Sequence, residues 1–341
     1  MRPRASWCVI VVAAFALAGC AGRPRMLAEA SAPGASEVRW ACHDSLLVVA
    51  LGGWGVSLVS TLDGHESAAW RLPDVPPQPA RGLALSAAGE TLAVATADSV
   101  RVFTTRGLLP LLARPGNALA LALSDDGTQL LWTDGSFGQW LETPSGAEHW
   151  HGLLAAGAGA LQWAGSLSRF VVARGLNVVS TGEDDPPSFW LGPFAPTLPR
   201  KLAISEAGQT LAVAESTASI SLWHLADKHL LRRLVLGGNA HCENLALSPD
   251  ARFIATSLGS RARVLWARSG RPLADWAPHE GAEVTDLAFA ADGLELATVG
   301  ANGSVRTWEL PSAAGRLEGR ATFEKTGRHG HAKPGRKSDG D

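Results

Sequence analysis

The chain has 341 residues, 46% hydrophobic and 18% charged, which is enough apolar material for a large buried core and too compact a composition for a disordered polymer. The formal net charge of −2 hides a division: Arg2 and Arg4 sit in the leader, residues 325–341 hold five Lys/Arg against two Asp, and the stretch between carries −7. That acidic body argues against nucleic acid as a partner, because such binding needs clustered cations to displace counterions.

The chain opens with MRPRASWCVIVVAAFALAGC, in which two arginines precede an apolar run from Trp7 to Ala18 and then small residues, the layout of a secretory signal. The run is too short to cross a hydrocarbon core, which takes ~20 residues. Its end, Leu17-Ala18-Gly19-Cys20, resembles the lipobox of bacterial lipoproteins. The resemblance implies removal of residues 1–19 and a covalent lipid on Cys20, with enough acyl chain for stable anchoring. Alanine rather than aspartate at position 21 favours the outer membrane, facing the periplasm. Residues 20–37 then read as the lipidated cysteine and a flexible tether, since AGRPRMLAEASAPGASE has no apolar period.

From Val38 onward the sequence repeats itself. VRWACHDSLLVVALGGWGVSLVS (Val38), LALSAAGETLAVATADSVRVF (Leu83), LALSDDGTQLLWTDGSFGQW (Leu121), LQWAGSLSRFVVARGLNVVS (Leu161), LAISEAGQTLAVAESTASISLW (Leu202), LALSPDARFIATSLGSRARVLW (Leu245) and LAFAADGLELATVGANGSVRTW (Leu287) start 38 to 45 residues apart. Each holds three strand-like runs separated by turn signals such as Asp126-Gly127, Asp134-Gly135, Asp292-Gly293 and Asn302-Gly303. The second run is nearly all apolar, as for a strand covered on both faces. A fourth run follows in each: SAAWRL, LLPLLA, EHWHGL, SFWLG, LLRRLVL, PLADWA and RLEGRATF. Seven copies of four strands predict an all-β, seven-bladed propeller of four-stranded antiparallel blades over residues 38–323. Residues 324–341, polar and basic, read as a disordered tail.

There are 13 tryptophans and no tyrosine. Trp140, Trp223, Trp266 and Trp308 end third strands, with Phe103 in the matching place, and Trp70, Trp150, Trp190 and Trp276 fall in fourth strands. This recurrence points to packing between blades rather than to a stacking surface for ligands. Trp54, in the GGWG turn, has no periodic counterpart and is the candidate exposed aromatic contact.

The repeats resemble the WD-repeat (tryptophan–aspartate) propeller family, best in the seventh copy. There His279 stands where the family has its Gly-His, Thr298 matches the second-strand hydroxyl, Asn302 replaces the turn aspartate, and Trp308 closes the third strand. The resemblance implies that these four form a hydrogen-bonded chain that stiffens the blade. The dipeptide itself is missing, since His224, Ala267 and Glu309 follow Trp223, Trp266 and Trp308. Many such propellers complete the last blade with an N-terminal strand, here residues 25–30. RLEGRATF supplies a fourth strand in chain order, so closure without that exchange is expected.

In such a blade, the loops joining strand four to the next strand one gather with the strand two-to-three turns on one face. That face would present Trp54, Arg81, Arg114, His151, Arg174, Arg200, His241, Arg261 and His279 as candidate partner contacts, mixed in sign with nearby acids. The opposite hairpins are rich in Asp and Glu, which reflects either a repelling face or the preference of turns for Asp. Cys42 and Cys242 fall at opposite ends of non-adjacent blades, beyond the ~7 Å a disulfide spans. His149 and His151 lack a third ligand close in sequence, and His329-Gly330-His331 is a weak metal hook. No nucleophile elbow, phosphate loop or zinc-protease pattern occurs, so no catalytic residue, metal or cofactor beyond the Cys20 lipid is expected. The reading is a membrane-tethered, non-catalytic platform for other envelope proteins. The alternative is a lactonase-like or quinone-cofactor-like enzyme or small-ligand receptor with its site at the channel mouth.

Overall fold

The computed structural model describes residues 23–41, 44–51, 55–61, 64–71, 82–154, 158–182, 185–192, 194, 198–205, 209–216, 218–236 and 242–311. An N-terminal strand β1 (Arg25–Ser31) is followed by seven groups. They are β2 (Ala35–Ala41), β3 (Leu46–Leu51), β4 (Gly55–Ser60) and β5 (Glu66–Arg71); β6 (Gly82–Leu85), β7 (Thr91–Ala95), β8 (Ser99–Thr104) and β9 (Pro110–Pro115); and β10 (Ala120–Leu123), β11 (Gln129–Thr133), β12 (Phe137–Glu142) and β13 (Glu148–Leu153). Next come β14 (Ala158–Ala164), β15 (Arg169–Arg174), β16 (Asn177–Gly182) and β17 (Asp185–Leu191); β18 (Pro199–Ile204), β19 (Thr210–Glu215), β20 (Ser219–His224) and β21 (Leu230–Val235); β22 (Asn244–Leu247), β23 (Phe253–Leu258), β24 (Arg261–Trp266) and β25 (Pro272–Trp276); and finally β26 (Val284–Phe289), β27 (Glu295–Gly300) and β28 (Ser304–Glu309).

Each of the first six groups is one four-stranded antiparallel sheet in chain order, and each first strand contains the start position read from the repeats. The first strands touch one another in turn, β2 to β6 and onward to β26, which returns to β2. The ring is therefore closed, with the channel at its centre. We call the face carrying the blade-to-blade connections and the strand two-to-three turns the upper face, and the face carrying the other hairpins the lower face.

The core explains why the ring has to close. Seven apolar clusters each bridge two neighbouring blades: Val48, Leu58, Leu92 and Phe103 join blades one and two, and Trp140, Leu161, Phe170 and Val172 join blades three and four. Second strands sit between sheets, so Leu92, Ala93, Val94 and Ala95 are fully buried. No blade owns both walls of its core, so each keeps its faces dry only against its neighbours. The tryptophans follow this plan: Trp140 meets Phe170 edge-on across blades three and four at 5.3 Å, and Trp276 meets Trp308 across blades six and seven at 5.7 Å. The side chains of Trp70 and Trp190 lie outside the described residues.

The LALS-type serines also have a local task. Ser86, Ser124, Ser205 and Ser248 accept the N–H of the first residue of the next strand through their hydroxyls, at 2.9 to 3.2 Å. In the same turns Asp126, Asp250 and Asp292 accept backbone N–H groups. For these three, turn formation accounts for the acid.

Closure differs from the expectation. The last blade has the order β1-β28-β27-β26, with β1 antiparallel to β28 from Arg25 opposite Glu309 to Ser31 opposite Ser304. The N-terminal exchange is thus present, and much of the stretch read as a flexible tether is strand. Small side chains hid it: Met26 packs into the cluster between blades six and seven, and Ala30, Ala32 and Ala35 pack into the one between blades seven and one. The polar residues of β1 are paired, Arg25 with Glu309 and Glu29 with Arg306 through Nε at 2.9 Å. Gly303 makes the crossing possible. Its φ of +81° suits glycine, and a Cβ there would stand 2.9 Å from Pro33 Cα. The N–H of Ala32 donates to the Gly303 carbonyl at 2.7 Å. RLEGRATF, the tail 324–341 and the signal lie outside the described residues.

Candidate functional site

The channel is lined by first-strand side chains, among them Arg39, Leu85, Leu123, Gln162, Leu202, Leu245 and Asp286, around a cavity of about 310 Å3. Two of its charges satisfy each other. Arg39 donates to Asp286 Oδ2 at 2.6 Å, and the same oxygen accepts the Val38 N–H at 3.0 Å. Glu37 lies 3.6 Å from Arg39 and accepts the Leu83 N–H at 2.9 Å. Burial raises the Glu37 carboxyl above its ordinary value, outweighing the pull of Arg39. For Arg39, burial works against the charge, but Asp286 and Glu37 overcome it and hold the guanidinium above its usual range. The group is a neutralising tie between blades one and seven. Among the described lining residues there is no histidine or cysteine.

The predicted network of blade seven is present in two pieces. The Trp308 indole N–H donates to Thr298 Oγ1 at 2.9 Å. Separately, Ser304 Oγ donates to Asn302 Oδ1 at 2.7 Å and lies 2.6 Å from His279 Nδ1, so Nδ1 carries the proton and Ser304 accepts it. Ser304 is the member that sequence comparison misses. His279 is fully buried under Gly300, where a Cβ would come within 2.6 Å of the ring, and its Nε2 has no hydrogen-bond partner among the described residues. Burial, then the nearby Arg306 charge, pushes its pKa down to about 4. His279 is therefore a structural residue, and its place among partner contacts is corrected.

The other candidates do not form one patch. Trp54, Arg81 and His241 lie outside the described residues. Arg114 reaches across to the next blade and donates to the Gly146 carbonyl at 2.6 Å, a clamp rather than a free contact. Arg261 is tied to Asp275 at 2.8 Å. Arg174 is half-buried at the end of β15, and Arg200 is exposed on β18. His151 is exposed and bonded to Glu148 Oε1 at 2.7 Å, while His149 sits beside Trp140 at 5.9 Å, so neither joins a ligand set.

Two features stand out instead. On the upper rim of blade three, Phe137 and Leu153 face each other across strands and are 55% and 63% exposed, and Leu119, 48% exposed, packs against the Gly135 turn. Beside them a groove of about 310 Å3 between blades two and three is lined by Pro115, Trp132, Asp134, Phe137, Gln139 and His151. The buried Trp132 indole N–H has no acceptor among the described residues. The second feature is a cluster of His224, Asp227 and His229 on a lower-face hairpin of blade five. Both were illegible as sites because they depend on which residues a turn brings together.

With this geometry in view, the class is plain: the chain is a seven-bladed β-propeller that carries a WD repeat. Residues 270–309 match the family described as WD domain, G-beta repeat. The match runs from the outer strand of blade six through β28, offset from the structural blade by one strand. Among solved structures, the β-propeller domain of Cps50 (Swd1) from Myceliophteria thermophila is similar with a TM-score of 0.74 and 11% identity, over 84% of this chain and 99% of that one. At that identity the likeness shows the fold. None of the curated proteins matches the sequence.

Proposed function

We propose that the chain is a non-catalytic protein-interaction platform of a bacterial cell envelope, held by a lipid on Cys20 to the outer membrane and facing the periplasm. WD-type propellers generally act as protein-interaction scaffolds, and the exposed rim of blade three supports that reading here. Phe137, Leu153 and Leu119 present an apolar surface beside a groove that could seat an apolar side chain of a partner protein. The channel supports it too, because Arg39 and Asp286 neutralise each other rather than pointing at open space.

The closure strand defines how such a disc would be held. β1 begins at Arg25, so only Ala21 to Pro24 separate Cys20 from the ring, a span of at most roughly 18 Å. Arg25 pairs with Glu309 at the lower end of blade seven. The anchor therefore leaves from the lower edge of blade seven, and the apolar rim lies on the upper face three blades further round. This short link keeps the partner surface turned away from the lipid.

The test compares tagged wild type with Phe137→Asp and with Arg106→Glu, an exposed lower-face control, after crosslinking in intact envelopes. A protein captured by wild type and by the control but lost with Phe137→Asp supports the rim as the docking face; the same capture with all three overturns it. Separately, Cys20→Ala releases the chain to the soluble fraction and removes the acyl mass. Unchanged membrane association would overturn the anchor.

A further inference from the structure

The hairpins joining third to fourth strands share one turn. In blade five it reads His224-Leu225-Ala226-Asp227-Lys228-His229, closed by the His224 N–H donating to the His229 carbonyl at 3.0 Å, with Lys228 left-handed at φ 59°. The same closure recurs from Ser60 to His65, Thr104 to Leu109, Glu142 to Ala147 and Trp266 to Arg271, at 2.8 to 2.9 Å. The turn thus brings its first, fourth and sixth residues together whatever they are. Blade three shows the first-to-fourth contact, where Ser145 Oγ donates to Glu142 Oε2 at 2.6 Å. Among the turns described at all three positions, blade five alone places imidazole, carboxylate and imidazole there.

The result is a convergent donor set. Asp227 Oδ1 lies 2.6 Å from His224 Nδ1 and 2.7 Å from His229 Nδ1, and one ligand atom from each of the three falls within 4.8 Å of the others. The hydrogen bonds from His229 and then His224 pull the Asp227 carboxyl down to about 2. The rings lean together with centroids 5.6 Å apart. Side-chain exposures of 33%, 58% and 56% leave room for water or a further ligand. Three donors around a tetrahedral ion at ~2.0–2.2 Å stand roughly 3.3 Å apart, so each present N···O gap must open by about 0.7 Å. Small rotations of exposed side chains supply this.

We propose that His224, Asp227 and His229 form a tridentate site for a divalent transition-metal ion of the zinc class, with the remaining positions open to water or to a group from a second protein. Two imidazoles and one carboxylate are borderline donors that suit zinc better than magnesium or calcium, which prefer all-oxygen sets. On binding, each Nδ1 gives its lone pair to the ion, and its proton passes through solvent to Nε2, so neither ring changes charge. The site would couple the rigid lower face of blade five to the metal status of its compartment, independently of any anchor or rim contact.

The test is a calorimetric titration of zinc chloride into the full chain carrying His329→Ala and His331→Ala, so that the tail histidines contribute nothing. The expected result is one zinc per chain, lost in His224→Ala/His229→Ala, weakened in Asp227→Ala, and kept in His149→Ala/His151→Ala, with circular dichroism equal in all. A cobalt titration adds a ligand-field absorption band that vanishes with the same variants. Absence of binding, or zinc binding unchanged by loss of His224 and His229, would overturn the proposal.

Discussion

Lowering the pH from about 7 to about 5 tests the environment of His279. In the unfolded chain this imidazole takes up a proton near its ordinary value of 6.5, whereas the buried native ring refuses it until about 4. A depressed native pKa means that the stability associated with the neutral ring is complete above pH 6.5 and drains as the pH falls toward 4. Because the ring is 0% exposed, solvent screening takes little away. A tenfold difference in proton affinity between the folded and unfolded chains is worth about 1.4 kcal/mol, so the loss is on the order of 3 kcal/mol over the whole window and roughly 2 kcal/mol between pH 7 and 5. The comparison is His279→Asn, which keeps an N–H donor for Ser304 but cannot titrate. Urea unfolding at both pH values should show wild type losing roughly 2 kcal/mol more than the variant. Equal losses would mean that the ring is already protonated at neutral pH or is reached by water, and the depressed pKa would be refuted.

Closure supplies further tests. Glu29→Ala removes the acceptor for Arg306 Nε, leaving Glu280 and the Pro278 carbonyl on the guanidinium; it should cost about 1.5–3 kcal/mol in chemical denaturation. Gly303→Ala forces a left-handed alanine against Pro33, and a loss of about 1–3 kcal/mol is expected from the same assay. Deleting residues 23–31 bares the edge of β28 and should produce oligomers by size exclusion with light scattering. At the seam of blades three and four, Phe170→Ala empties a fully buried site against Trp140 and Trp163 and should cost about 3–5 kcal/mol.

The repeats were legible because each blade must present the same buried second strand and the same turns, and those demands write a period into the sequence. Val38, Leu83, Leu121, Leu161, Leu202, Leu245 and Leu287 all fall in first strands. The aromatic ends of third strands were legible only in part: Phe103 and Trp308 hold matching register and face the preceding blade, whereas Trp140, one residue out of step, faces the following one. The N-terminal strand was not. An edge strand beneath a tight crossover needs small residues, and MLAEAS looks the same as a linker until Arg306 and Glu309 are brought beside it. Surface chemistry was the least legible. Arg114 and Arg261 have the composition of contact residues, but a neighbouring carbonyl and Asp275 occupy them. The histidines of blade five lie five apart across a turn, a spacing that no strand or helix period would bring together.

The pairing of Glu29 with Arg306 joins residues 277 positions apart. A chain emerging amino-terminus first from a ribosome therefore carries an orphan strand until the rest of the propeller has been made, and the final sheet can assemble only once its third strand arrives. The cost of joining such distant ends grows only slowly with their separation, but it falls due before the closing contacts return anything. Such a chain should fold late and all at once, and until then its leading segment is free to be held by a chaperone, by a membrane, or by the same gap in another copy.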